Sequence, residues 1–179
     1  MKPELRLHTP SLREMEYRQG LLRQPETMSY NAGQPYDAPG YDAATGCIDF
    51  PIGDWRYWRD VWLWREPSRY SAYLQSVETG QFLGEACYYY DMEADMTGVG
   101  IIVEHRHRGR GVGTEGLRLL TAHAFESPDI DALFVDLPQG RENAIRMFLT
   151  AGYRETLNEH GMVRLELHRA KREEPHEED

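Results

Sequence analysis

One segment in the second half of the chain restricts the fold more than any other. Residues 99–103 form an apolar run, residues 104–113 form a basic turn with glycine at alternate positions, and residues 114–125 return to helical spacing. A turn between a strand and a helix presents unpaired backbone N–H groups and the positive end of the helix dipole. This order therefore predicts a binding site for a phosphate-bearing ligand at the start of the helix.

The spacing of the turn residues distinguishes between phosphate-binding motifs. A Walker A loop requires Lys and then Ser or Thr after its second conserved glycine, and the turn has neither. A dinucleotide fingerprint requires G-x-G-x-x-G inside a βαβ unit, whereas these glycines follow a pattern typical of a β-hairpin. Positive charge suited to phosphate oxygens comes from three arginines in the turn, Arg106, Arg108 and Arg110.

The turn resembles the signature of the GNAT acetyltransferase superfamily. In that signature Arg or Gln is followed by two residues, Gly, any residue, and Gly or Ala, which Arg108, Gly111 and Gly113 match. Residues 143–153 (NAIRMFLTAGY) are similar to the family's Asn-containing loop, helix and Gly-aromatic ending, and residues 110–117 are similar to the branch that acetylates ribosomal-protein N-termini, antibiotics and polyamines.

The resemblance implies an α/β fold with a central, mixed, mostly antiparallel twisted sheet of about six to seven strands flanked by about four helices. It covers about residues 70–168 best, and we expect residues 1–169 to form one acetyltransferase domain with a charged, disordered tail at 170–179. Local patterns predict strands near 5–8, 70–77, 81–90, 97–103, 132–137, 153–156 and 162–168, and helices near 12–23, 54–67, 114–125 and 142–151.

The resemblance implies acetyl-CoA as the cofactor and assigns residues to it. Backbone groups of Ile101 and Val103 are expected to bond the pantetheine arm where two strands separate, with the amide near Val103 polarising the thioester carbonyl. The Asn143 side chain is expected to meet the pantetheine, or else to cap the helix that follows. Backbone amides are expected to hold the pyrophosphate along the turn, at Arg108, Gly109, Arg110, Gly111, Val112, Gly113 and Thr114.

Glu85 is the candidate catalytic base. An alkyl amine has a pKa of about 10 and must lose a proton before it attacks the thioester. The family's usual Glu, on the strand before the turn, is replaced here by residues 97–100 (TGVG). Glu85 lies on the preceding predicted strand, and strand alternation places Leu83 and Cys87 on its face, which would raise its pKa. An exposed strand Glu is the alternative.

The family tyrosine that protonates the leaving thiolate corresponds to Phe148, which has no proton to give. A thiol with a pKa of about 8.5 is a tolerable leaving group, so direct release is one possibility. Neither Cys47 nor Cys87 lies near an evident base, so the sequence predicts direct transfer between two bound reactants. Other tyrosines are possible donors, although each also suits a core position: Tyr88, Tyr89, Tyr90 and Tyr153.

Charge indicates the class of partner. The formal net charge of −10 disfavours nucleic acid and favours amines. Residues 28–54 lie in a stretch without Lys or Arg, and we expect them to form part of the acceptor pocket for a small cationic amine or a peptide N-terminus; a structural lid is the alternative. The residues expected to contact or attract the acceptor are Tyr30, Tyr36, Tyr41, Asp37, Asp42 and Asp49.

Several other classes of function are less well supported by the sequence. No apolar run reaches the roughly 20 residues of a membrane span, and the first residues lack the apolar stretch of a secretory signal, so we expect a cytoplasmic protein with no membrane partner. His105 and His107 lack the partners of a metal site, and no metal is predicted. A non-catalytic acyl-CoA-binding module, a partner protein that uses the tryptophan-rich helix, and a homodimer remain open.

Overall fold

The computed structural model describes residues 3–170, and its seven strands form one sheet. The strands lie in the order β1-β2-β3-β4-β5-β7-β6, and all neighbours are antiparallel except β4 and β5, which are parallel. The predicted mixed, mostly antiparallel sheet is therefore confirmed. The strands are β1 (Leu5–His8), β2 (Arg69–Ser76), β3 (Phe82–Asp91), β4 (Met96–Val103), β5 (Ala132–Pro138), β6 (Arg154–Glu159) and β7 (Met162–His168). Of the tail predicted to be disordered, residues 171–179 lie outside the described part.

The helices are α1 (Met15–Leu22), α2 (Pro25–Met28), α3 (Ile52–Trp62), α4 (Val112–Ala124) and α5 (Glu142–Thr150). The short α2 was not predicted; it begins with a proline, whose fixed φ suits the first position of a helix. The expected start of α3 was also wrong. Pro51 is its N-cap, with extended backbone, and Asp54 lies within the first turn. The helix ends at Trp62, before the expected position near Pro67.

Two separate hydrophobic cores lie on the two faces of the sheet. The larger core is shared with α4 and α5 and includes Ala72, Leu74, Leu117, Leu120 and Phe148. The smaller core joins α1, α2 and α3 to the other face and consists of Met15, Leu22, Met28, Phe50 and Leu63. Neighbouring residues on a strand point to opposite faces, and Ile102 of β4 accordingly packs against the smaller core while Val103 belongs to the larger one.

The sheet opens in its middle, between β4 and β5. These strands pair only at Thr97 with Leu133 and at Gly98 with Phe134, near their first residues. Beyond that point they run to Val103 and Pro138 without pairing to each other. The helices α4 and α5 begin shortly after these ends, so the gap between the strands opens toward two helix N-termini. The strand separation implied by the resemblance is present.

A β-bulge changes which residues share a face with Glu85. The register between β2 and β3 shifts between Leu74 and Gln75, so that Gly84 pairs with Leu74 and Phe82 pairs with Gln75. As a result, Leu83 belongs to the core beneath α4. The prediction that Leu83 lies on the face of Glu85 was therefore wrong, because simple alternation does not continue through the bulge.

Candidate active site

The turn before α4 presents a run of backbone N–H groups without partners. The amide of Arg108 donates to the carbonyl of His105 at 3.1 Å, and the next backbone bond is from Glu115 to the carbonyl of Gly111 at 3.0 Å. Between them, the amides of residues 109–114 donate to no acceptor within residues 3–170. Gly111 is the N-cap of α4 and has φ of 82°, a left-handed conformation that glycine adopts without strain. Together with the dipole of α4, these amides can bind an anion.

The side chain of Arg108 does not point its charge at this turn. Its guanidinium donates to the carbonyl of Val103 at 3.0 Å and to the carbonyl of Thr27 at 2.6 Å, with a longer bond of 3.4 Å to Glu26. It therefore joins the end of β4 to the end of α2. The expectation that this side chain supplies charge to phosphate is not met, because backbone carbonyls already occupy its donors.

A second set of contacts holds the same two segments together. Thr27 is fully buried, and its hydroxyl accepts a hydrogen bond from the amide of His105 at 3.0 Å. Glu104 is also buried, and it accepts from the side-chain amide of Gln24 at 3.1 Å. Arg106 Nε lies 3.0 Å from the Glu104 carboxylate, which partly neutralises the charge of that arginine. The turn at residues 104–113, which we call the phosphate turn, is thus joined to α2.

Of the three arginines in the turn, Arg110 alone has no described side-chain partner within residues 3–170. It is exposed, next to the first free amides of the turn. His107 lies 3.8 Å from Glu104, and both burial and the neighbouring arginines lower its pKa. We therefore expect charge from Arg110, with the amides of 109–114, to face an anion bound at this turn.

The start of α5 lies against the start of α4. A Cβ on Gly113 would overlap Sδ of Met147, so any larger residue there requires the Met147 side chain to move. Asn143 lies one turn before Met147 on the same face of α5 and is exposed at the helix N-terminus. The N-cap of α5 is Arg141, so the alternative of Asn143 as the cap is wrong. Asn143 is therefore at the edge of the gap between β4 and β5.

Glu85 lies on the face of the sheet that α1 covers, beside the gap. Its Cα pairs with that of Ile102 on β4 and with that of Tyr73 on β2. The side chain is buried, and Arg18 Nε lies 3.2 Å from its Oε2. Burial raises the pKa of Glu85, and the charge of Arg18 acts in the opposite direction. The alternative of an exposed strand Glu is wrong.

Arg18 was missed by the sequence analysis. Its guanidinium lies 4.7 Å from the ring centre of Phe50 and 4.3 Å from that of Trp58, so aromatic faces enclose the ion pair. A signal for it exists in the sequence. Arg18 has helical spacing with the apolar Met15 and Leu22, which places an arginine in the inward stripe of α1 and implies a buried partner.

The region expected to form the acceptor pocket, residues 28–54, lies on the same face as Glu85. Met28 and Phe50 belong to the smaller core, and Tyr30 packs against it. The ring of Tyr30 lies beneath the guanidinium of Arg141, whose Cζ is 4.5 Å from the ring centre. Arg141 is the N-cap of α5, so this contact joins the segment after α2 to the start of α5.

Much of the acidic charge in this loop has a structural partner. Asp49 pairs with Arg23 at 2.6 Å. Asp42 accepts from the amide of Ala44 and the hydroxyl of Thr45, which lowers its pKa. The hydroxyl of Tyr41 donates to carbonyls of the same loop. These contacts support the alternative that residues 40–49 form a structural lid. Asp37, by contrast, is exposed.

The other candidate donors lie in the larger core, at the end of β3 or near the closed end of the gap. Phe148 and Tyr153 are buried in the core beneath α4, with ring centres 5.1 Å apart. Tyr88 is in the same core, and Tyr90 donates to Asp95 in the turn between β3 and β4. Tyr89 pairs with Gly98 at the closed end of the β4–β5 gap. Burial raises the pKa of Cys87 to about 12, so its thiol stays protonated.

Two further findings concern membrane spans and metal sites. No helix within residues 3–170 is long and apolar enough to cross a membrane. In the same part of the chain, no cluster of His, Cys, Asp and Glu side chains is arranged to hold a metal ion.

Solved acetyltransferases share this fold. The GNAT domain of S. lividans PAT has a TM-score of 0.66 and 20% identity, over 92% of this chain and 89% of that one. The spermidine N-acetyltransferase of Vibrio cholerae, solved with CoA and spermine, has a TM-score of 0.67 and 11% identity, over 92% and 95% of the chains. An aminoglycoside acetyltransferase solved with coenzyme A and kanamycin has a TM-score of 0.67 and 15% identity, over 93% and 95%. No curated protein matches in sequence.

The family itself is identified by sequence. The model of the "Acetyltransferase (GNAT) family" matches residues 40–153, which include β2 to β5, the phosphate turn, α4 and α5. Membership makes the chain an N-acetyltransferase with acetyl-CoA as its cosubstrate. The chain belongs to the acetyltransferase (GNAT) family.

Proposed function

We propose that this enzyme transfers the acetyl group of acetyl-CoA to the primary amine of a small cationic molecule or a peptide N-terminus, by direct attack within a ternary complex. The observation that carries the proposal is the run of free amides at residues 109–114, placed at the open end of the gap between β4 and β5. The pyrophosphate binds these amides. The pantetheine then runs into the gap, along the unpaired edge of β4 at Ile101 and Val103 and past Asn143.

This position of the cofactor brings its thioester to Glu85. Ile102, which pairs with Glu85, lies between the two residues whose backbone groups bond the pantetheine. The Glu85 carboxylate accepts a proton from the acceptor amine, and its raised pKa strengthens it as a base. The nitrogen then attacks the thioester carbonyl, whose oxygen is polarised by the amide near Val103. The protonated state of Cys87 disfavours an acyl-cysteine intermediate.

The exposed Asp37 supports a cationic acceptor, since its carboxylate has no ion-pair partner within residues 3–170. The same fold is found in a spermidine N-acetyltransferase solved with spermine and in an aminoglycoside acetyltransferase solved with kanamycin, which supports a cationic amine as the acceptor here. A direct test measures CoA release from acetyl-CoA with polyamines, aminoglycosides, peptides with free N-termini, and neutral or acidic amines. We expect turnover with a cationic amine and a KM that rises with salt, because salt screens charge attraction.

A matched pair of variants tests the contribution of Asp37. Asp37→Asn should raise KM for the cationic acceptor, while Glu93→Gln, in the turn at the opposite end of β4, should leave it unchanged. Turnover confined to neutral or acidic amines would contradict a cationic acceptor. Absence of CoA release with every amine, despite binding of acetyl-CoA, would instead favour a non-catalytic acyl-CoA-binding protein.

A further inference from the structure

We propose that Tyr30 is the acid that protonates the leaving CoA thiolate. The inference rests on the proposed function, in which the source of the proton for the leaving thiolate is not yet assigned. When the amine nitrogen bonds the carbonyl carbon, the C–S bond breaks and its electron pair remains on sulfur. Phe148 cannot supply a proton. The other candidate tyrosines lie in the larger core, at the end of β3 or over Gly98 at the closed end of the gap.

Tyr30 lies against the start of α5. Arg141, the N-cap of α5, lies just beyond the end of β5, and its guanidinium is 4.5 Å from the ring centre of Tyr30. On the other side of the gap, Ile102 of β4 packs against the same small core as Tyr30. The ring therefore lies beside the start of α5, on the face that carries Glu85. A thioester bound along β4 lies between Glu85 and the Tyr30 ring.

The backbone that carries Tyr30 is held by the phosphate turn. Tyr30 follows α2 by two residues, and Thr27 of α2 bonds both Arg108 and the amide of His105. Just after Tyr30, the buried Asn31 accepts the hydroxyl proton of Tyr41 at its carbonyl. Contacts on both sides of residue 30 thus fix the ring relative to the turn that binds the pyrophosphate. Such fixed geometry is what proton transfer at a defined atom requires.

Electrostatics suit the role as well. Burial and, to a smaller extent, the Glu85 charge raise the pKa of Tyr30 to about 12, against the opposing effects of the Arg141 charge and a hydrogen bond with the Asn31 side chain. The hydroxyl therefore keeps its proton throughout the neutral pH range. Once the proton has moved, the cation of Arg141 beside the ring stabilises the phenolate.

The proton balance of the reaction closes. One proton leaves the protonated amine for Glu85 before the attack, and a second leaves the nitrogen for solvent once the C–N bond has formed. One proton leaves the Tyr30 hydroxyl for sulfur as the C–S bond breaks. The products are the amide, the CoA thiol and one proton released to solvent. Exchange with solvent then moves the proton held by Glu85 back to the Tyr30 phenolate, so the enzyme returns to its initial state with no further reactant.

Hydroxylamine is the probe for the test, because it is a small amine that is mostly unprotonated at neutral pH and so depends little on a base. The experiment follows CoA release from acetyl-CoA and hydroxylamine by wild type, Tyr30→Phe and Tyr57→Phe. The Phe variant at position 30 keeps the ring contact with Arg141 and removes only the hydroxyl. Tyr57 is 74% exposed on α3 and serves as the control.

We expect Tyr30→Phe to lower kcat by about tenfold to a hundredfold, the lower range for acid catalysis because a thiolate is a tolerable leaving group. Calorimetry should give an unchanged Kd for acetyl-CoA, and thermal unfolding should give a Tm near that of wild type. Tyr57→Phe should match wild type throughout. A second variant, with 3,5-difluorotyrosine at position 30, should move the basic limb of the pH–rate profile to lower pH, since its phenol is more acidic.

Each result decides the assignment. A Tyr30→Phe rate within twofold of wild type, or a basic limb that the fluorinated residue does not move, would overturn it. A wild type that binds acetyl-CoA without accelerating acetylation of any amine would refute the proposed function, and the Tyr30 assignment with it. If wild type does not bind acetyl-CoA, the proposed function itself fails, and this outcome is separate from failure of the Tyr30 assignment.

Discussion

Two arginines that lie two residues apart in the phosphate turn should have opposite effects when they are replaced. Arg108→Met removes the donors that bond Val103 and Thr27, at 3.0 and 2.6 Å, and keeps the length of the side-chain stem. Arg110→Met removes an exposed charge that has no described side-chain partner within residues 3–170. We expect the first variant to lose stability and the second to lose affinity for acetyl-CoA.

The loss of folding free energy in Arg108→Met follows from the two short hydrogen bonds that the variant removes. A bond from a charged donor contributes about 1.5–3 kcal/mol, and the lower end applies here because the residue is largely exposed. The loss is therefore about 2–3 kcal/mol. For a chain of 150–250 residues, each kcal/mol lowers Tm by about 2–4 °C, so Tm should fall by about 5–10 °C.

Differential scanning calorimetry and titration calorimetry with acetyl-CoA check both effects. Arg110→Met should keep the wild-type Tm and bind acetyl-CoA about three- to tenfold more weakly, with less dependence of Kd on salt. Arg108→Met should bind within about twofold of wild type at temperatures where it is folded, since the amides of 109–114 remain. If Arg108→Met kept its Tm and weakened binding more than Arg110→Met, the guanidinium of Arg108 would be a phosphate ligand and the reasoning would be wrong.

Three further variants test other parts of the site. Gly111→Asp should abolish measurable acetyl-CoA binding in calorimetry, because it strains a residue with φ of 82° and adds a negative charge to the anion site. Unchanged affinity in a folded variant would refute the assignment of the turn as the pyrophosphate site. Glu85→Gln should lower kcat more than it changes the Kd of acetyl-CoA. It should also remove the acid limb of the pH–rate profile, because that limb reflects the raised pKa of the Glu85 carboxyl in wild type. An identical profile in the variant would show that Glu85 is not the base. Gly113→Ala should lower Tm, since its Cβ overlaps Met147 and separates α4 from α5; an unchanged Tm would show that Met147 moves aside freely.

Local chemistry predicted the parts of this fold that depend on near neighbours in sequence. The turn, the helix directly after it and the two strands of the hairpin follow from glycine positions and hydrophobic period, and all are present. The helix begins at Val112, two residues before its predicted start. The loop at residues 24–53 was harder to predict. The helix α2 within it has four residues, and its contacts with Arg108 and His105 join positions about 80 residues apart, which no local pattern contains.

The sequence predicted a raised pKa for Glu85, but it did so from a wrong neighbour. Alternation placed Leu83 beside it, but a bulge between Leu74 and Gln75 moved Leu83 to the opposite core. The burial of Glu85 comes instead from α1, which brings Arg18 within 3.2 Å. Because a single inserted residue reverses the faces of a strand, a pKa argument from sequence alone fails at each bulge. Here Glu85 remains the candidate base because its partner on β4, Ile102, lies beside the gap.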